Sequence, residues 1–282
     1  MTTRGVPAWV VGEFVGTFLL VFFGCGSVCA AVTTGAQVGI FQVAIVWGLG
    51  IATAIHLTAA LSGAHLNPAV TISLSVWGGF PKSRVAGYIA TQVIAAFVAS
   101  CVLYVIFGGA IAAFENKNTI VRGETGSEAS AMVFGEYFPN PGGRPLRDAD
   151  PDRVRLWRAF VTELIGTSIL LLVIFCVTDE NNRDRPQILT AAIIGLTVTM
   201  LISLLGPLTM ACFNPARDLG PRLFSSMAGW KAIPFTANGP GWFTVYILAP
   251  VLGGLLGGGV YHGLFRPAYR VHKHAIVGEG QR

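Results

Sequence analysis

The sequence predicts an all-α membrane protein in which six transmembrane helices and two shorter re-entrant helices form an inverted repeat. Three observations support this prediction. The 282 residues are 53% hydrophobic and only 12% charged, and soluble domains usually carry about 25% charged residues. Six apolar segments are long enough to cross a bilayer, which requires roughly 20 residues. The triplet Asn-Pro-Ala occurs at 67–69 and again at 214–216, in corresponding positions of the two halves.

The six long apolar segments are predicted to be helices, because each must satisfy its own backbone hydrogen bonds within lipid. The first segment is much longer than the hydrophobic region of a signal peptide, about 7–15 residues. It is therefore interpreted as a retained span. The predicted spans cover residues 6–32, 39–61, 86–112, 156–177, 188–205 and 242–265.

Each Asn-Pro-Ala triplet predicts the start of a short helix, because Asn is a favoured N-cap and Pro fits the first helical position. The two helices are predicted to run to about Trp77 and about Met227, which is too short to cross the membrane. A short helix that ends inside the bilayer directs its electropositive N-terminus at the midplane. We therefore expect Asn67 and Asn214 to lie near each other there.

The halves repeat, since residues 13–17 (Glu-Phe-Val-Gly-Thr) match 163–167 (Glu-Leu-Ile-Gly-Thr). Each half contains three crossing spans, an odd number, so the second half must be inverted relative to the first. The chain is predicted to be a single domain, 1–282, with repeats at 6–112 and 156–265. Lys and Arg counts favour cytoplasmic termini, with 113–155 an external loop and 266–282 a cytoplasmic tail.

Composition argues against several other classes of protein. The five cysteines are odd in number and all lie in apolar segments, so neither a disulfide framework nor a metal site is expected. Basic residues are scattered at span edges and in loops, which does not indicate nucleic-acid binding. With no visible nucleophile–base pair, neither an enzyme nor a cofactor is predicted.

Four stretches, 46–50, 62–71, 206–209 and 214–218, resemble the aquaporin and glycerol-facilitator superfamily of major intrinsic proteins. The likeness covers all six spans and both short helices, and Asp218 resembles the glycerol-conducting branch. The resemblance implies an aquaporin-like, multi-pass protein of the cell membrane, embedded in the lipid bilayer as a homotetramer with one pore per subunit. It also implies a passive channel for glycerol, water and similar small neutral solutes that excludes protons and ions.

The resemblance implies that Trp47 and Arg217 face each other in an outer constriction, the selectivity filter. Counting back from Asn214 without gaps assigns its other two positions to Ile202 and Ala211. These two residues depart from the glycerol-facilitator pattern, and the set of four is closest to plant nodulin-26-like channels. Urea and small metalloid acids are therefore additional candidate solutes.

The residues around the triplets have predicted roles in the pore. Asn67 and Asn214 are expected to donate side-chain N–H groups at the midplane, where a passing hydroxyl can accept them and a proton relay is interrupted. Glu13 and Glu163 are interpreted as anchors of the re-entrant loops rather than as a proton relay. Cys212 is a hypothetical mercurial site. The predicted pore-lining backbone positions are Gly63, Ala64, His65, Met210 and Cys212.

Two alternative functions stay open on the sequence. A water-selective channel is disfavoured by Trp47, Ile202 and Asp218. A proton-coupled secondary transporter would also use inverted repeats, but it would require acidic side chains in the substrate path.

Overall fold

The computed structural model describes residues 2–3, 5–146, 154–182, 184–185 and 187–271. In that part of the chain, six helices are long and apolar enough to cross a membrane, which confirms the six predicted spans. They are Ala8–Thr34, Ile40–Ser62, Lys82–Lys117, Leu156–Thr178, Thr190–Thr209 and Gly241–Val271. The third is longer than the predicted 86–112. Its added ends carry Lys82, Arg84 and Lys117, whose charged groups can reach the membrane surface along their aliphatic chains.

Several helices include or end in a single π-helical turn, and the elements are numbered as follows. The α-helices are α1 (Ala8–Cys29), α2 (Ile40–Ser62), α3 (Pro68–Trp77), α4 (Lys82–Lys117), α5 (Glu128–Ala131), α6 (Leu156–Thr178), α7 (Thr190–Thr209), α8 (Pro215–Ser225), α9 (Ile233–Thr236), α10 (Gly241–Phe243) and α11 (Ala249–Val260). The π-helical turns are Ala30–Thr34, Ser226–Trp230, Thr244–Leu248 and Tyr261–Phe265. Two short strands, β1 (Thr2–Thr3) and β2 (Val6–Pro7), pair antiparallel ahead of α1.

The two Asn-Pro-Ala triplets begin the short helices α3 and α8. α3 ends at Trp77, as the sequence predicts, and α8 ends at Ser225 and continues into a π-helical turn. Each short helix packs mainly against the last long helix of the opposite half, α3 against α11 and α8 against α4. This reciprocal packing brings the halves of the inverted repeat together.

The long helices complete the bundle around the two short ones. α1 packs on α2 and α4, α6 packs on α11 and α7, and α2 crosses α7 between the halves. At the α2–α7 crossing, Gly48 and Gly195 face each other so closely that a Cβ on either would meet the other's carbonyl oxygen. Small residues of this kind let transmembrane helix backbones approach.

The segment between the halves does not lie only at the surface. Residues 126–137, which include α5, are buried, and Ser130 in this stretch forms hydrogen bonds with Glu115 of α4 and with Trp230. An external loop is predicted for 113–155, and its buried part is not evident from the sequence. The sequence also has a basic insertion at 144–153, of which residues 147–153 lie outside the described residues, as does the predicted tail beyond residue 271.

Candidate functional site

The two re-entrant loops that precede α3 and α8 have equivalent backbone conformations. Positive φ angles occur at Gly63 (84°), Ala64 (49°) and Leu66 (51°), and at the corresponding Met210 (64°), Ala211 (60°) and Phe213 (53°). Residues with a Cβ adopt such angles at a cost of about 1–3 kcal/mol each. The surrounding structure must therefore hold both loops in place.

A buried glutamate holds each loop. The Glu13 carboxylate accepts the backbone N–H groups of His65 (2.9 Å) and Leu66 (2.8 Å). Glu163 accepts those of Cys212 (3.0 Å) and Phe213 (2.8 Å) in the same way. Both carboxylates are inaccessible to solvent. These hydrogen bonds satisfy N–H groups that the loop geometry leaves without helical partners.

The repeated glycines three residues after these glutamates make room for the loops. A Cβ on Gly16 would collide with the side chain of Leu66, and a Cβ on Gly166 would collide with the ring of Phe213. In each half, the glutamate therefore binds the re-entrant loop through its carboxylate. The glycine leaves the space into which a side chain of that loop packs.

Asn67 and Asn214 cap their helices and also link the two loops. The side-chain oxygen of Asn67 accepts the N–H of Ala69 (2.8 Å), while its Nδ2 donates to the carbonyl of Phe213 (2.8 Å). Asn214 accepts from Ala216 (3.1 Å) and donates to the carbonyl of Leu66 (2.9 Å). Each carboxamide has two N–H groups, so one N–H group of each side chain takes no part in this cross-loop bond.

Two cavities adjoin these loops. We call the side of the membrane on which α1 begins the terminal side, and the other the distal side. The terminal cavity is about 390 Å³ and the distal cavity about 530 Å³. Trp47, Ile202 and Arg217 line both, so these three side chains form the boundary between the cavities.

The other predicted pore residues divide between the cavities, and neither Glu13 nor Glu163 is among the lining residues. Those on the terminal cavity are Gly63, Ala64, His65, Asn67, Ala211, Cys212 and Asn214. Met210 lines the distal cavity. Ala211 therefore adjoins the boundary from the terminal side, and the small side chain leaves space there.

At the boundary, the guanidinium of Arg217 stacks over Trp47, with Cζ 4.4 Å from the ring centroid. Its Nη1 donates to the carbonyl of Phe134 (3.3 Å), and its Nη2 forms an ion pair with Glu136. The passage thus has an aromatic face beside a polar, hydrogen-bond-donating face. Such a surface suits a molecule with both carbon atoms and hydroxyl groups.

Glu136 is the residue of this site that the sequence does not reveal. Asp218 accepts its backbone N–H (2.8 Å), and Arg222 donates to its carbonyl oxygen. Asp218 and Arg222 are themselves paired, Nε to Oδ2, at 2.8 Å. The available signal is the apolar run 131–134, which is unusual in an external loop and lies just ahead of Glu136.

On the terminal side, the described residues around His65 are linked by hydrogen bonds and ring contacts and form no ion pair with it. Its Nδ1 lies 3.2 Å from Oγ1 of Thr71, which also accepts a hydrogen bond from Gln92 (3.0 Å). The imidazole ring packs against Phe80 and Tyr88, with centroids 4.6 and 4.9 Å away. His65 is thereby fixed in the wall of the terminal cavity.

Six spans and two short helices, with cavities on either side of their meeting point, define a transmembrane channel. The chain belongs to the Major intrinsic protein family, whose model matches residues 3–261. It is 41% identical to a glycerol uptake facilitator protein of Pseudomonas aeruginosa over 89% of this chain and 86% of that protein.

Two further relatives extend this comparison. The propanediol uptake facilitator PduF of Citrobacter freundii is 37% identical, over 91% of each chain. The X-ray structure of the aquaglyceroporin from Plasmodium falciparum aligns with a TM-score of 0.77 at 30% identity, covering 94% of this chain and 98% of that one. The predicted family and fold class are both confirmed.

Proposed function

We propose that this protein is a passive channel for glycerol and similar small neutral solutes, with water passing as well. The observation that carries the proposal is the pair of cavities that adjoin at Trp47, Ile202 and Arg217. The indole ring offers the carbon backbone of a polyol an apolar surface, and the guanidinium donates hydrogen bonds to its hydroxyl groups. The names of two relatives, a glycerol uptake facilitator and a propanediol uptake facilitator, concern solutes of this kind.

The remaining pore residues have supporting roles in this proposal. Asn67 and Asn214 each keep an N–H group for the solute at the midplane, beside the N-termini of α3 and α8. The electropositive helix ends oppose cations there. The carbonyl groups of the two re-entrant loops accept hydrogen bonds from the solute's hydroxyls. Glu13 and Glu163 anchor these loops.

A channel accounts for the buried glutamates better than a proton-coupled transporter does. A transporter needs titratable groups in the substrate path. Glu13 and Glu163 instead bind backbone N–H groups and line neither cavity. The charges of both are therefore used in holding the loops.

The boundary residues favour solutes broader than a linear polyol. Ala211 leaves space where a large side chain would narrow the passage, while Ile202 fills space on α7. Urea and neutral metalloid acids are additional solutes in this proposal. A water-selective channel is the weaker alternative, because Trp47 and Ile202 offer an apolar surface of little use to water alone.

We also propose an orientation of the protein in the membrane and an oligomeric state. Because six spans are an even number, both termini lie on one side, and the Lys and Arg distribution favours the cytoplasm for that side. The family resemblance favours a homotetramer in which each subunit carries its own pore.

The test is glycerol uptake into proteoliposomes, followed by stopped-flow light scattering with and without a pH gradient. We expect uptake above that of empty vesicles and independent of the gradient. Ile202→Trp should abolish it by filling the boundary. Leu204→Trp is the matched control on the same helix, since Leu204 is 72% exposed and should leave uptake unchanged. Uptake that requires the gradient, or that survives Ile202→Trp, would contradict the proposal.

The width of the boundary can be tested by Ala211→Phe. The added ring should slow branched solutes such as urea more than linear glycerol, because a flat, narrow slot still passes a linear chain. Permeability ratios for a panel of neutral solutes measure this change. Equal slowing of both solutes would mean that Ala211 does not border the narrowest point.

A further inference from the structure

We propose that Glu136 keeps the boundary between the cavities electrically neutral, so that Arg217 serves the hydroxyl groups of neutral solutes instead of holding small anions. This inference rests on the proposed channel function and deepens it. It concerns the exclusion of small anions, which it assigns to the carboxylate of Glu136 on the segment between the two halves.

The Glu136 side chain is buried beside Arg217, with which it forms an ion pair. It is fully buried, and among the described residues no donor other than Arg217 reaches its carboxylate. The other fully buried glutamates, Glu13 and Glu163, each hold two backbone N–H groups. Only the main chain of Glu136 is used for anchoring. Its carboxylate therefore contacts Arg217, and the more distant Arg222 is already paired with Asp218.

Without Glu136, the boundary would carry an uncompensated guanidinium. The nearby Asp218 and Arg222 neutralise each other, and Glu163 uses its charge on the Cys212 and Phe213 N–H groups and the hydroxyl of Thr209. The N-termini of α3 and α8 add positive potential at the midplane. In a passage of low dielectric constant these positive charges together would attract an anion strongly.

The guanidinium is also well shaped and accessible for an anion. Its planar fork of N–H donors matches a planar oxyanion. The distal cavity of about 530 Å³ reaches Arg217 directly, so a small anion has a path to it from the distal side. An anion held there would occupy the narrowest part of the pore and stop glycerol. Glu136 prevents this by occupying Arg217 with a fixed charge.

Burial raises the pKa of Glu136 to about 8, so the experiment measures glycerol uptake by proteoliposomes at pH 9, where this carboxylate is ionised, with nitrate on both sides of the membrane. Sodium gluconate at the same ionic strength is the reference, because that anion is too bulky for the passage. The wild type should be equally fast in both salts. In Glu136→Gln, which keeps an acceptor oxygen but not the charge, nitrate should slow uptake about twofold at half-occupancy of the site.

Glu128→Gln is the matched control. Glu128 is buried in the same segment, but its carboxylate accepts the backbone N–H groups of Gly126 and Leu146 (2.8 Å each) and does not contact Arg217. This variant should remain insensitive to nitrate even if the segment loosens. Glu136→Ala, which also removes the charge, should be nitrate-sensitive like Glu136→Gln and provides a second measurement if one variant folds poorly.

Each result has a distinct meaning. Nitrate sensitivity in both Glu136 variants, but not in Glu128→Gln, supports the inference. Nitrate-insensitive uptake in a folded Glu136→Gln or Glu136→Ala overturns it while leaving the channel proposal intact. A wild type that takes up no glycerol contradicts the channel proposal itself, before any variant is compared.

Discussion

The two re-entrant loops have the same backbone shape but different chemical support. Around the first loop, Gln92 donates to Glu13 and to Thr71, and Thr71 contacts His65. Ion pairs are not part of that described network. Around the second loop, two buried ion pairs, Arg217–Glu136 and Asp218–Arg222, lie on or beside the first turns of α8.

This difference distinguishes the residues that both halves of the repeat share from the residues found in one half alone. The glutamate anchor, the glycine and the capping Asn occur in both halves, so they belong to the architecture. Of the two loops, only the second has buried ion pairs beside it among the described residues, and there Arg217 borders both cavities. An inverted repeat can thus repeat one backbone conformation while placing buried ion pairs beside only one of the two loops.

The largest effect on this comparison is expected from Arg222→Met. Arg222 is fully buried, pairs with Asp218, donates to the carbonyls of Glu136 and Pro234, and lies over the rings of two tyrosines. Its removal leaves a buried, unpaired Asp218, at a cost of about 3–5 kcal/mol. Thermal unfolding in detergent should show a large fall in the apparent melting temperature.

The double variant Asp218→Asn, Arg222→Met distinguishes the cost of leaving a buried charge on Asp218 from the cost of losing the contacts of Arg222. The substituted carboxamide would still accept the N–H of Glu136, and no uncompensated charge would remain. We expect the double variant to recover part of the lost stability. A double variant as unstable as Arg222→Met would mean that the ion pair is unimportant and that the contacts of the guanidinium with carbonyls and rings dominate.

Much of the fold follows from local sequence. Each span is a long apolar run, and each Asn-Pro pair combines an N-cap with a first-turn proline, so α3 begins at Pro68 and α8 at Pro215. The repeated Glu-x-x-Gly pattern also identifies Glu13 and Glu163 as the residues that contact the loops. These features depend on neighbouring residues or on the repeat, and both can be read from one chain.

The rest of the site depends on contacts between distant residues. Glu136 lies far ahead of Arg217 along the chain, in a segment predicted only as an external loop, and no periodic pattern links them. The cross-loop bonds from Asn67 to Phe213 and from Asn214 to Leu66 likewise require the packed halves. Sequence patterns identify the donors, but the acceptors follow only from tertiary structure.

A smaller effect is expected from adding one methyl group in each half. Gly166→Ala should push against the rigid ring of Phe213, whereas Gly16→Ala meets mainly the rotatable end of the Leu66 side chain. Overpacking of this kind costs about 1–3 kcal/mol. We therefore expect Gly166→Ala to lower both the melting temperature and glycerol uptake more than Gly16→Ala. The reverse order would show that the first loop is the more rigidly held of the two.

The smallest effect is expected from Gln92→Leu, which tests the uncharged support of the first loop. Gln92 donates to Glu13 (2.7 Å) and Thr71 (3.0 Å), but its own oxygen is buried without a partner among the described residues. Leu removes two hydrogen bonds and one unsatisfied oxygen together, so the net loss should be only about 1 kcal/mol. The matched variant Gln92→Glu should be worse, because it places a second carboxylate beside Glu13. If Gln92→Glu lowers the melting temperature less than Gln92→Leu does, the first loop does not need an uncharged side chain at this position. The proposed difference between the uncharged network of the first loop and the ion pairs of the second would then be wrong.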